Sequence, residues 1–401
     1  MERIVLRYAE AIDAHNISTY IEQGGFKALV KAREMGPDGV IAEIKASGLR
    51  GRGGAGFPCG VKWQLAASTP GDEKYVICNA DEGEMGTFKD RYIIEHDPFS
   101  LIEGIAIAAY AIGATKAYIY LRGEYRYLLN SLTSTVDQAR RKGFLRLPVE
   151  IREGAGAYVC GEESALMNSI EGRRGEVRFR PPFPPTSGLF GKPTVINNVE
   201  TLMNIVPIIE KSAAWFTAIG TATSKGTKVF SVSGDVERPG VYELSLGTRL
   251  SDLLALAGAG DVKMVQIGGA TGAVVPASLA EMPLAYETVL GSGAIMVFNT
   301  SRDIIDFVYQ TMEFLNEESC GQCTPCREGT EAMIEILDRL RKGDGAPEDI
   351  AAMEGLSSLM MKSSLCGLGQ AAPVPVLDTL KYFRNDYVNR IKQSVFLRTL
   401  R

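Results

Sequence analysis

The sequence predicts a chain in three parts: an α/β domain over residues 1–225, a small β-grasp module over 226–300 and a helical domain over 301–401. Three observations predict it. In the first part short β-rich runs alternate with helical segments; in the second a hairpin pattern leads into a short helix and further strands; in the third apolar residues recur at helical spacing. A length of 401 residues agrees, since it exceeds one ordinary domain and suggests two or three.

Taken in order, residues 75–78, 117–121 and 149–152 are β-rich, and helices are expected over 39–47, 98–112 and 127–142. Glycine-rich elements fall at the joins between these elements, where α/β ligand sites usually lie. The second part opens on a strand at 228–233. Gly234-Asp235-Val236-Glu237-Arg238-Pro239-Gly240 turns the chain into a second strand at 241–244. A helix at 249–257 and strands near 262–267 and 294–298 complete the β-grasp pattern. In the third part Ile304, Ile305, Val308, Met312 and Leu315 share one helical face, and Met333, Ile334, Leu337 and Leu340 another. Segments 347–362 and 376–391 would complete a four-helix bundle. No internal repeat or low-complexity tract interrupts the chain.

Composition excludes several classes. A formal net charge of −5 without a basic face gives no reason to expect nucleic acid. The most apolar stretch, 101–114, carries Glu103 and is too short to cross a bilayer, so it reads as a buried core helix. Glu2, Arg3, Arg7, Glu10 and Asp13 break up the first sixteen residues and exclude a signal-peptide core. The expected location is a reducing cytoplasm, in which Cys59, Cys78 and Cys160 are free, buried small hydrophobes.

The most informative residues are Cys320, Cys323 and Cys326, in a Cys-Gly-Gln-Cys-Thr-Pro-Cys run, and Cys366 in Leu365-Cys366-Gly367-Leu368. Three thiolates two residues apart wrap one face of a [4Fe-4S] cubane, and a fourth from a later element closes it. Structural zinc is the competing reading, but its sites use two paired knuckles and the second pair is missing. The odd cysteine count and the length argue against a disulfide framework.

Gly51-Arg52-Gly53-Gly54-Ala55-Gly56-Phe57 has the spacing that lets a backbone approach phosphate. The segment before it looks helical rather than extended, so alone it would be an ordinary structural turn. Three further elements accompany it. Lys62 follows as a phosphate counter-charge, and Asn79-Ala80-Asp81-Glu82-Gly83-Glu84 follows a strand as an acidic loop. Gly154 to Glu163 places glycines before Glu162 and Glu163, which would otherwise complement a helix dipole. Asn197 and Asn198 suit the edge of a heteroaromatic ring or, in the plainer reading, cap a helix.

Together these motifs resemble the NADH-binding flavoprotein subunit of respiratory NADH dehydrogenase, a family with soluble NAD-linked formate dehydrogenase and hydrogenase relatives, some of them electron-bifurcating. The resemblance covers nearly the whole chain. It implies a Rossmann-like domain binding FMN and NADH, a ubiquitin-like β-grasp domain and a four-helix bundle carrying a [4Fe-4S] cluster. Carried onto this sequence, it places the backbone of Gly51, Gly53, Gly54 and Gly56 against the cofactors and Lys62 by the FMN phosphate or ring. Asn79, Asp81, Tyr158, Gly161, Glu162, Asn197 and Asn198 would line the flavin. Phe57, Glu84, Glu163, Arg180 and Phe183 would meet NADH, with Glu84 and Glu163 anchoring it for catalysis. Cys320, Cys323, Cys326 and Cys366 match the cluster ligands. Leu65, Arg180 and Gly83-Glu84-Met85 depart from the respiratory pattern and bear on nucleotide choice.

The implied function is a diaphorase: hydride exchange between NADH and FMN, then single electrons through the cluster. Its partners would be a [2Fe-2S] thioredoxin-like subunit and a catalytic iron-sulfur subunit of formate dehydrogenase or hydrogenase type. A bifurcating flavoprotein, the respiratory NADH-binding subunit and a non-catalytic relay scaffold are the alternatives.

Overall fold

The structure, a computed structural model, describes residues 3–392. Glu2 and the outermost ends of the predicted first and third parts, 1–2 and 393–401, lie outside the described residues.

Four strands, β1 (Tyr75–Ala80), β2 (Lys116–Leu121), β3 (Val149–Glu153) and β4 (Thr194–Asn198), form a parallel sheet in the order β3-β2-β1-β4. Buried, almost uninterrupted apolar runs in β1 and β2 are what a parallel sheet covered on both faces requires. The chain leaves β1 toward β2 and β3, then returns to β4 on the other side. The carboxyl ends of β1 and β4 therefore flank a topological switch point, where open α/β sheets bind ligands. Register pairs Cys78 with Asn197 and Asn79 with Asn198, so the two asparagine motifs end side by side.

The core helix spans Pro98–Ile112. Asp97 caps it by accepting from the Ser100 amide, Pro98 pre-sets its first turn, and Gly113 ends it at a φ of 69°. Glu103 does not break it, because the carboxylate accepts from the Phe26 and Leu29 amides, each at 2.8 Å, and from the Tyr20 hydroxyl. The helix expected at 39–47 is longer, Lys27–Ala46, with a left-handed break at Gly36 before Pro37.

The second sheet holds β5 (Thr227–Gly234), β6 (Gly240–Ser245), β7 (Val262–Ile267), β8 (Ala273–Pro276) and β9 (Ala294–Asn299) in the order β6-β5-β9-β7-β8. β5 and β9 run parallel near its centre. Helix Leu250–Ala257 buries Leu250, Leu253, Leu254 and Ala257 in a core with Phe230, Val265 and Ile295. Strand β8 is an addition to the expected pattern, four residues long and closed by Pro276.

Helices Ile304–Glu317, Thr324–Arg341 and Asp349–Ser363 form the helical part. The fourth helix expected at 376–391 is instead two pieces, Val374–Tyr382 and Arg384–Val388, broken at Phe383 (φ −129°, ψ 33°). The break folds the chain back, so that the buried Tyr387 hydroxyl meets Thr379 Oγ1 at 2.7 Å.

Buried polar contacts lock the parts together. Glu200, after β4, bonds Lys228 Nζ of β5 at 2.5 Å and the Val229 amide at 2.8 Å, and pairs with Lys89 at 3.0 Å. Asp378 accepts from the Val274 amide at 2.9 Å and so ties β8 to the helical part. Burial pushes Lys228 down to about 7 against the pull of Glu200. Burial would raise Glu200, but Lys228 and Lys89 outweigh it and hold the carboxyl below its ordinary value.

Removing Lys228 leaves Glu200 undercompensated in a site shielded from solvent. Lys228→Met is expected to cost about 3–5 kcal/mol in urea unfolding of the purified protein. Arg249→Met, which removes an exposed pair with Glu281, should leave the midpoint unchanged.

Candidate functional site

At the carboxyl ends of β1 and β4 lies a cavity of about 410 Å³ whose walls come from all three parts. Gly53, Gly54 and Ala55 form one side, and Asn79, Asp81 to Glu84 and Asn198 line the strand ends. Tyr158, Gly161 and Glu162 close the side toward β3. Gly268, Thr271, Gly272, Gly291 and Ser292 of the β-grasp part form a further wall, and Cys366 to Leu368 and Ala371 of the helical part the last.

The glycine loop is held from outside. Arg52 is buried; its amide donates to Thr201 Oγ1 at 2.8 Å and its guanidinium to the Lys225 carbonyl at 2.6 Å. Gly53 packs tightly, since a Cβ there would stand 3.0 Å from Asn198 Cβ and the asparagine would have to give, and Gly54 turns the loop at a φ of 127°. Gly51 and Gly56, expected with the other two to approach a cofactor, are not among the residues that line this cavity. The Gly51 carbonyl accepts from the Tyr286 hydroxyl at 2.7 Å, and a Cβ on Gly56 would lie 2.7 Å from the Tyr286 ring. Both face the β-grasp part.

The carboxylates of the cavity are not equivalent. Glu82 accepts from the Asp90 amide at 2.8 Å, the Arg91 amide at 3.0 Å and the Tyr125 hydroxyl at 3.0 Å. Glu84 accepts from the Tyr158 hydroxyl at 2.8 Å and the Ala270 amide at 2.7 Å. Glu162 caps helix Glu163–Ile170 through the Ser164 and Ala165 amides and pairs with Arg180. Asp81 differs from these: among the described residues neither of its buried oxygens has a hydrogen-bond partner, and its nearest cation is Arg122 Nη1 at 4.0 Å. Burial pushes Asp81 up to about 7, Arg122 opposing.

Asn79 donates to the Gly161 carbonyl at 2.9 Å, fixing the glycine-carboxylate loop against β1. Asn198 caps helix Val199–Lys211 through the Glu200 amide, so the plainer reading of this residue is realised on the cavity wall itself. Its neighbour Asn197 is turned away, as alternation along a strand demands. Buried, it accepts from Trp63 Nε1 at 2.9 Å and contacts Cys59, and of the two asparagines expected at one site only Asn198 lines this cavity.

The remaining predicted residues gather on a rim beside Glu162. Glu163 pairs with Lys62 at 3.5 Å and Arg180 at 3.1 Å, and Lys62 Nζ lies 6.0 Å from the Phe57 ring centre. Lys62 also donates to the Ile196 carbonyl at 3.0 Å. Phe57, Leu65 and Phe183 are exposed. A second hollow of about 460 Å³ shares Arg180, with Arg178, Phe179 and Phe190, but none of the residues expected around a flavin ring.

The four C-terminal cysteines are free thiols carried on two elements. Cys323 precedes helix Thr324–Arg341, Cys326 lies in its first turn, and Cys366 precedes the short helix Gly367–Ala371. Burial pushes Cys326 up to about 11, and the Cys323, Cys366 and Cys320 thiols add to it. Cys366 is raised by burial although the Gly369 and Leu368 amides donate to its sulfur. Gly369 has to be glycine, because a Cβ would stand 2.8 Å from Cys326 Cβ.

The walls contributed by Gly268 to Gly272 and by Gly291-Ser292 are not anticipated by the sequence motifs, nor are Thr87, Lys89 and Asp90. The run Gly268-Gly269-Ala270-Thr271-Gly272 is their available signal, but between two strands it reads as a hairpin turn.

Comparisons with known proteins identify the family. Residues 44–207 match the family described as Nuo51 FMN-binding domain, 229–263 the SLBB domain, and 306–390 the NADH-ubiquinone oxidoreductase-F iron-sulfur binding region. The chain is 41% identical over 413 residues to the F 2 subunit of NADH-quinone oxidoreductase from Rhizobium meliloti (strain 1021), covering 98% of each. It is 42% identical over 405 residues to the NADP-reducing hydrogenase subunit HndC of Solidesulfovibrio fructosivorans, covering 96% of this chain and 82% of that one. A crystal structure of NAD+-reducing [NiFe]-hydrogenase in the H2-reduced state superposes with a TM-score of 0.86 at 42% identity. That match covers 89% of this chain and 63% of the solved one.

If the four thiols act as one ligand set, Cys366→Ala should reduce iron in anaerobically purified protein to well below the wild-type content. Cys78→Ala, at a buried thiol far from the set in sequence, should leave it unchanged.

Proposed function

We propose, from the premise that this chain belongs to the family of NADH-quinone oxidoreductase F-type flavoprotein subunits, that it is an NADH-oxidising diaphorase subunit using FMN and a [4Fe-4S] cluster. The observation that carries this reading is the position of Cys366, which belongs both to the cavity wall and to the thiol set. A group in the cavity and a group on the thiols would be separated by little more than one side chain.

The residues present fit both groups. Two unpartnered buried oxygens on Asp81 suit the hydrogen-bond donors of a flavin, and the bare backbone at Gly53 and Gly54 leaves space for close approach. The cavity volume lies in the ordinary range for a cofactor site. Four undisulfided cysteines with amide donors to one sulfur suit an iron-sulfur cluster. When bound, FMN supplies the conversion between a two-electron hydride and single electrons, and the cluster supplies a one-electron exit.

This chain's residues bind and orient. Gly53, Gly54, Asn79, Asp81, Tyr158, Gly161, Glu162 and Asn198 enclose the flavin. The rim of Phe57, Lys62, Glu163 and Arg180, with Phe183 beyond it, receives the dinucleotide. Glu84 is set at one place by Tyr158 and Ala270 and anchors the nicotinamide end, which supplies alignment rather than a nucleophile. Burial raises Glu84, while the Tyr158 hydroxyl and the Ala270 and Met85 amides favour the ionised form.

The finer reading is a subunit of a soluble NAD-linked formate dehydrogenase or hydrogenase, passing electrons to a [2Fe-2S] thioredoxin-like subunit and a catalytic iron-sulfur subunit in the cytoplasm. The likeness to hydrogenase subunits supports it. Among the described residues no helix is long and apolar enough to cross a membrane.

Anaerobic purification with bound partners tests the proposal. It expects about one FMN and about four irons per chain, with flavin bleaching and a reduced-cluster EPR signal on adding NADH. Flavin-free protein that NADH does not reduce would leave only a relay or assembly role. The anchoring of Glu84 has its own test. A Cβ on Gly269, whose φ is 92°, would fall 2.1 Å from Glu84 Cδ. Gly269→Ala should lower kcat/KM for NADH by about 10–100-fold, the scale of a lost positioning contact, while FMN content is kept.

A further inference from the structure

A hydride is two electrons and one proton, so its arrival leaves the cavity one unit more negative. Beside a carboxylate buried in the cavity wall that charge is expensive unless a proton follows it. Five carboxylates line this cavity: Asp81, Glu82, Glu84, Asp90 and Glu162. Glu82, Glu84 and Glu162 are each held by two or more donors, and Asp90 by Lys89 at 2.7 Å and Asn198 at 2.6 Å. Asp81 is different. Its side chain is 1% exposed, and among the described residues neither oxygen has a hydrogen-bond partner.

Resting on the function proposed above, we propose that Asp81 is the proton-exchanging group of the cavity, its carboxylate taking up one proton as two electrons accumulate beside it and releasing it as they leave. The surroundings are suited to that exchange. Arg122 Nη1, itself without a hydrogen-bond partner among the described residues, stands 4.0 Å away, close enough to stabilise the carboxylate and too far to occupy its lone pairs. Arg122 Nη2 holds Glu124 at 2.7 Å, and Glu124 is 54% exposed, so the ion chain ends at solvent. The groups facing Asp81 are Arg122, Glu124, Glu318, Tyr120 and Cys160. Burial raises Asp81 most, Arg122 lowers it, and Glu124 and Glu318 raise it further, leaving it at about 7.

The exchange balances. NADH and two oxidised one-electron acceptors give NAD+, one proton and two reduced acceptors. The O–H bond formed on Asp81 in the first half of the cycle is broken in the second, so its own uptake and release cancel. No further reactant is required.

The test is the midpoint potential of bound FMN against pH in the purified holoprotein. Infrared difference spectra of oxidised and reduced protein accompany it. Wild type is expected to show a pH window in which reduction takes up one extra proton per two electrons, with a protonated-carboxyl band in the reduced state. Asp81→Asn, which keeps the shape and removes the titration, should lose both. Arg122→Gln removes the charge that holds the carboxyl down, so the window should move to higher pH. If Asp81→Asn binds no flavin, the Arg122→Gln shift and the wild-type band decide. Equal pH slopes in wild type and Asp81→Asn, or a window unmoved by Arg122→Gln, would overturn the assignment. Wild-type protein without FMN would overturn the function proposed above and this with it, whereas FMN bound with an indifferent pH slope overturns this alone.

Discussion

The architecture depends on one fully buried carboxylate. Glu200 stands two residues beyond the β4 asparagine that faces the cavity, and it holds a lysine from the acidic-loop side and a lysine from the β-grasp sheet. Burying an ion is costly unless it is paired and hydrogen-bonded, and here the Val229 amide completes the pairing. Such a site fixes separation and orientation far more sharply than apolar packing does. Lys89 then presents its ammonium 3.4 Å from Asn198 Oδ1, and β5 is set where its neighbour β9 can follow Gly291 and Ser292 onto the cavity. If Glu200 were replaced by an apolar residue, two buried lysines would lose their shared counter-charge.

Much of this was legible in the sequence because local rules and global fold agree. The core helix shows its cap at Asp97, its proline start and its glycine stop, and its one charge is absorbed by the amides of a neighbouring helix start. The thiol set was legible because spacing alone brings three cysteines to one loop and turn. What was not legible depends on packing between parts. Nothing local distinguishes Gly268 to Gly272 from an ordinary turn; only the position of β7 beside β9 carries it to Glu84. Asn197 and Asn198 were indistinguishable for the same reason. A strand sends neighbours to opposite faces, and which face meets the cavity is decided by the helix whose Trp63 claims Asn197. The broken last helix was hidden too, because residues 376–391 keep a helical apolar pattern across Phe383.

The part built on the second sheet therefore has a larger place than a spacer between the first sheet and the helices. It restrains the glycine loop through Tyr286, supplies the amide that fixes Glu84, and forms a wall of the cavity. These contacts make its seating a condition of the site's shape.

A site that converts paired electrons into single ones has to keep two cofactors near each other. A single rigid domain meets that demand poorly, since a flavin wants the open carboxyl edge of a parallel sheet and a cluster wants converging loops at helix ends. Here the loop that carries Cys366 is also a wall of the cavity proposed to hold the flavin. Gly367 and Gly369 flank Leu368 beside Cys366, and at Gly369 any side chain would push the Cys366 and Cys326 elements apart. Phe314 of the bundle packs edge-on against Tyr158, and Glu318 accepts from the Tyr158 amide at 2.8 Å. The same tyrosine holds Glu84 on the cavity side. Tyr158 thus touches both Glu84, the carboxylate proposed to align the hydride donor, and the helix leading into the cysteine loop, so displacement of either is felt by the other through one residue.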